Sequence, residues 1–112
     1  MKSATAWLTL LDSGHCARAW SEAHSVVKSL MSQEAFAGLC DELLHSVKDQ
    51  YGAWISVRIV QVEYVPNLPL GLGDGICVHF RSKYEKGEYP GPKLLLAKDS
   101  DGAWRMVRSD KE

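Results

Sequence analysis

The hydrophobic period of the chain changes once, near Trp54, from helical spacing to strict alternation. That single change restricts the fold to a helical part followed by a β part. Before it, Ala4, Trp7, Leu8 and Leu11 fall on one helical face and Ser13-Gly14 interrupts them. Cys16, Ala19, Trp20, Ala23, Val27 and Leu30 continue the stripe on a second helix, expected to end near Met31. Ser32 is placed to cap a third helix with the clearest stripe, Phe36, Leu39, Cys40, Leu43, Leu44 and Val47, stopping by Tyr51-Gly52.

After Trp54, Ile55, Val57 and Ile59 alternate with Ser56 and Arg58, and the phase then slips to Val60, Val62 and Tyr64. A bulge near Ile59-Val60 reconciles the two phases. Residues 66–75 are rich in proline and glycine and read as a loop, whose Leu68, Leu70 and Leu72 suit a pocket mouth or a partner contact. Further strands are expected over Ile76–Arg81, Lys93–Lys98 and Ala103–Arg108, with turns at Glu85-Lys86-Gly87 and Asp99–Gly102. Helices first and antiparallel strands afterwards give an α+β class, with the helices packed on one face of a curved sheet of about four strands. The open end of such a cone is a natural ligand site.

Composition narrows the function. With 112 residues there is room for one domain spanning 1–112, and 46% hydrophobic against 24% charged residues is ordinary for a soluble fold. A net charge of −1 supplies no basic field for nucleic acid or an anionic membrane. No apolar run is long enough to span a bilayer, and Asp12 closes the N-terminal apolar stretch too early for a signal peptide, so the expected location is cytoplasmic. Cys16, Cys40 and Cys77 are odd in number and far apart, which reads as reduced, mostly buried thiols.

The order of Trp7-Leu8, Asp12, Trp20, Arg58, Leu68-Pro69, Asp74-Gly75, Phe80 and Asp101-Gly102-x-Trp104-Arg105 resembles a bacterial family known as the domain of unknown function numbered four thousand and nineteen. Nearly the whole chain takes part in the resemblance, which implies a nuclear transport factor 2-like, or cystatin-like, cone fold and no established activity. Ile76 stands where the family usually has an aromatic residue, and Arg108-Ser109 where it has a glycine-tyrosine pair.

The candidate chemistry is sparse. Asp12 is placed to cap the second helix, with a general base at the pocket mouth as the competing role. In the latter case Tyr64 or His79 would supply the oxyanion donor, and an isomerase-, dehydratase- or hydrolase-type enzyme would use Asp12 or His79 as its acid–base group. His15, His24, His45 and His79 lack metal-ligand spacing, and 71–75 lacks the lysine and following helix of a phosphate loop, so neither metal nor cofactor is implied. Arg58, Arg81, Arg105 and Arg108 are expected to form cross-strand pairs with Glu63 and Asp99, with the lining of an anion site as the alternative.

Of the four tryptophans, Trp7 and Trp20 are expected in the helical core and Trp54 and Trp104 at a homodimer contact or in an aromatic pocket. The leading expectation is a non-enzymatic module that binds a small apolar ligand or dimerises. Its pocket walls would be Trp20, Tyr64, Leu68, Leu70, Leu72 and Phe80. An adaptor with a filled core is the remaining alternative.

Overall fold

A computed structural model describes residues 2–110. Four helices, α1 (Lys2–Asp12), α2 (Cys16–Ser21), α3 (Ser25–Leu30) and α4 (Gln33–Tyr51), precede four strands, β1 (Trp54–Leu68), β2 (Gly73–Tyr84), β3 (Gly87–Lys98) and β4 (Trp104–Asp110). The strands form an open antiparallel sheet in the order β1-β2-β3-β4. The α+β class and the strand count follow the sequence pattern. The expected bulge is present too, as a shift of the β1–β2 register between Ile59 and Gln61.

Ala4, Trp7, Leu8 and Leu11 bury one face of α1 against Val78, Phe80, Leu94, Leu96 and Met106 of the sheet. The Trp7 indole N–H donates to the Ala19 carbonyl at 2.8 Å, tying α2 to α1 without leaving a buried donor open. Gly14, at φ +88°, ends α1: its N–H reaches the Leu11 carbonyl and that of His15 reaches Leu10. This pair of bonds is the Schellman arrangement, which places glycine just past the last helical turn. At the start of α4 the Ser32 hydroxyl accepts the Ala35 N–H at 3.1 Å, as expected of an N-cap.

Several expectations are corrected. The helix expected over 16–31 is two helices, because His24 leaves the helical path to donate its N–H to Met106 of β4 and caps α3 by accepting the Val26 N–H on Nδ1. Tertiary hydrogen bonds override a helical stripe that runs unbroken through this turn. The expected loop at 66–75 is mostly strand: β1 runs to Leu68, β2 starts at Gly73, and only 69–72 turns. Leu70 and Gly71 both carry positive φ, the signature of a tight hairpin turn matched to strand twist. β3 starts six residues before the expected Lys93.

Cys16 and Cys40 are not reduced. They form a disulfide joining the start of α2 to the middle of α4, and Cys77 is in no disulfide. Sequence spacing does not show that two cysteines 24 positions apart meet across a helix pair. No helix among the described residues is long and apolar enough to cross a membrane.

Gly75 marks the tightest approach in the sheet. A Cβ there would lie 2.5 Å from Leu68 Cδ1 and 2.7 Å from the Leu96 carbonyl oxygen, which is backbone and cannot swing aside. Gly75→Ala is therefore expected to lower stability by about 1–3 kcal/mol, the usual cost of overpacking, as read by urea denaturation. An unchanged midpoint would show that β2 and β3 are less closely apposed than described.

Candidate functional site

Asp12 occupies the last turn of α1, where the Schellman turn consumes the neighbouring backbone N–H groups. It does not cap α2. The N-cap position of that helix is His15, with no side-chain cap bond, and Asp12 Oδ2 is buried without a hydrogen-bond partner. Burial pushes the Asp12 carboxyl up from 3.8 to about 7. Its position at the negative end of the α1 dipole works in the same direction.

The carboxyl stands where two lobes of one cleft meet, between α1, α4 and the sheet. Asp12, Leu44, Val47 and Tyr84 line both lobes. The larger lobe, about 440 Å³, extends past Lys48 and Gly52 to Trp54. The smaller, about 280 Å³, is walled by Leu8, Leu11 and Leu43 on the helices and by Tyr51, Tyr89, Pro90 and Pro92. From α4 the lining residues Leu44, Val47, Lys48 and Tyr51 recur at i, i+3, i+4 and i+7, one face of a helix.

Local turns hold the rim. Gly52 ends α4 at φ +83°, and a Cβ there would touch the Glu85 Cβ at 3.0 Å. Glu85 Oε1 accepts the Ala53 N–H at 2.7 Å, while the Glu85 and Lys86 N–H groups donate to the Ala53 and Tyr51 carbonyls. The β2–β3 turn is thereby latched to the end of α4. Tyr51, Tyr84 and Tyr89 cluster beside this latch, with ring centroids 4.4 Å apart for Tyr51–Tyr89 and 5.6 Å for Tyr51–Tyr84. The Tyr84 phenol is pushed above its ordinary range, by burial first and by Asp12 second. Trp54 places its indole N–H, also without a partner, in the wall of the larger lobe.

The family model described as "Protein of unknown function (DUF4019)" matches residues 3–108. The chain belongs to this family. No curated protein and no solved structure matches it. Within this DUF4019 domain the residues that carry the resemblance mostly hold the frame together. Asp101 accepts the Ala103 N–H at 3.0 Å and pairs with Arg105 at 2.6 Å, closing the β3–β4 hairpin. Asp74 accepts from the Tyr64 hydroxyl and from the Asn67 N–H, closing the β1–β2 hairpin. Arg105 pairs with Asp99 at 3.7 Å, as expected, whereas Arg58 and Arg81 both pair with Glu88, at 2.8 and 3.0 Å.

The other residues expected at the site lie elsewhere in this DUF4019 domain. Phe80 is a core residue, 2% exposed, and Leu68 is buried over Gly75. Tyr64 and Leu70 are 66% and 76% exposed near the β1–β2 turn, and neither they nor Leu72 lines the cleft. Trp20 is half-buried between α2 and α3, donating to the Met31 carbonyl at 2.8 Å under the Lys28 ammonium. His79 alternates with the core residues Val78 and Phe80, so it faces away from the helices, 3.0 Å from Glu63. Asp12 and His79 are thus on opposite sides of the sheet and cannot act on one substrate.

Trp54 lines the cleft, whereas Trp104 lines a separate hollow of about 330 Å³ with Trp7 and Arg105. Both indoles are half-buried within the chain. Among the described residues no cluster of His, Cys, Asp or Glu could hold a metal ion. Tyr51, Tyr84 and Tyr89 escaped the sequence reading. The signal for Tyr51 was present, because it continues the Leu44–Val47 stripe by four residues, but Tyr84 and Tyr89 meet it only through the β2–β3 turn.

Proposed function

We propose that this DUF4019 domain is a small-molecule-binding module, with a cone of the nuclear transport factor 2-like kind whose site is the two-lobed cleft at Asp12. The observation that carries this reading is Asp12 Oδ2, buried without a partner at the junction of both lobes. Buried polar atoms are nearly always satisfied in native folds, and leaving one open costs about 1–3 kcal/mol. Such a cost persists where a ligand supplies the missing partner. The walls are apolar and aromatic with few polar groups, as in ligand sites generally.

Titration of small aromatic fragments, mapped by backbone amide shifts, tests the reading. Hits are expected to perturb Val47, Trp54 and Tyr84, and Val47→Phe, which fills the junction, is expected to abolish them. Fragments that bind only outside the cleft, or none that bind, would overturn the reading.

Acid–base chemistry is the second reading, and the position of Asp12 favours it: a carboxyl titrating near 7 beside a tyrosine is half-ionised at neutral pH and can take or give a proton. A substrate turned over by the wild type and spared by Asp12→Asn would replace binding by catalysis. Either activity would take place in an oxidising compartment, where a disulfide such as Cys16–Cys40 persists.

A further inference from the structure

Resting on that binding reading, we infer that the ligand is an organic cation, an amine with an apolar body, whose head sits between the Asp12 carboxyl and the tyrosine cluster. The smaller lobe is lined by one carboxyl, three tyrosines, the neutral polar Ser46, Gln50 and Ser109 and otherwise apolar residues, and by no lysine or arginine. An anion would meet no countercharge there. A buried carboxylate is stable when paired with a cation, and among the described residues Asp12 Oδ2 has no partner. The rings of Tyr51, Tyr84 and Tyr89 add π faces that attract an ammonium group. Leu8, Leu11 and Leu43 would take the apolar body.

The charged and titratable groups around Asp12 decide how binding depends on pH. Lys48 and Tyr51 come from α4, Tyr84 from β2 and Tyr89 from β3, and the Glu85 carboxylate above Gly52 is engaged by the Ala53 N–H. Burial raises the carboxyl. A cation selects the ionised form, so binding strengthens as pH rises through about 7 and releases a proton below it.

Phenethylamine, its neutral isostere 2-phenylethanol and the anion phenylacetate separate the possibilities by calorimetry together with amide-shift mapping. Phenethylamine is expected to bind in the cleft at least about tenfold more tightly than 2-phenylethanol at pH 8, and to lose about tenfold in affinity by pH 6, one unit below the Asp12 midpoint. Phenylacetate is expected not to bind. Asp12→Asn is expected to erase the preference, so that the amine binds no more tightly than 2-phenylethanol. Equal binding of amine and alcohol in the cleft, or an affinity that rises toward pH 6, would overturn the cation inference and leave the binding module standing. Failure of all three probes to perturb the cleft would count against both.

Discussion

Asp12→Asn is expected to make the protein more stable at pH 8, by about 2–4 kcal/mol, and to change its stability little at pH 4. The folded carboxyl titrates near 7 against 3.8 for an unconstrained one. Between those values the unfolded chain has released its proton and the folded chain has not. Wild-type stability therefore falls as pH rises through that window and levels off above about 7. The full shift corresponds to about 4 kcal/mol, reduced in practice because the asparagine amide also lacks a partner in the cleft. Urea denaturation of both proteins at pH 4, 6 and 8 isolates this group, since every other titration is common to the two. A stability difference independent of pH would show that the carboxyl is not held away from its ordinary range.

Removing the Cys16–Cys40 bridge with a double Cys→Ala substitution is expected to cost about 3 kcal/mol. The bridge closes a segment that contains both six-residue helices, α2 and α3, and helices of that length do not persist without tertiary support. Hydrogen exchange should accordingly speed up from Cys16 to Leu30 while β2 and β3 keep their protection. Alkylation of protein taken from its native compartment should find one free thiol, Cys77. A loss below about 1 kcal/mol, or three free thiols, would remove both the staple and the oxidising compartment from this account.

The fold was more legible than the site. Periodicity placed α1, the Ser32 cap, the end of α4 and the bulge near Ile59 because each is a local property of a few consecutive residues. It failed at His24, where a backbone bond to Met106 breaks the helix, and at Cys16–Cys40, where the information lies in the packing of two helices. The site shows the same division. Asp12 stood out as a polar residue closing an apolar stripe, but a residue at the end of a helix reads first as a cap for the next one. Only Gly14, by satisfying the local N–H groups, leaves the carboxyl free to enter the cleft. Phe80 was assigned to a pocket wall because alternation cannot tell a filled core position from a lining one.

The most direct test of the central claim is a carbon-13 NMR titration of the Asp12 side-chain carboxyl, followed with and without phenethylamine. A midpoint near 7 in the free protein, moving downward when the amine is present, is the expected result. A midpoint near 4, unmoved by the amine, would contradict it.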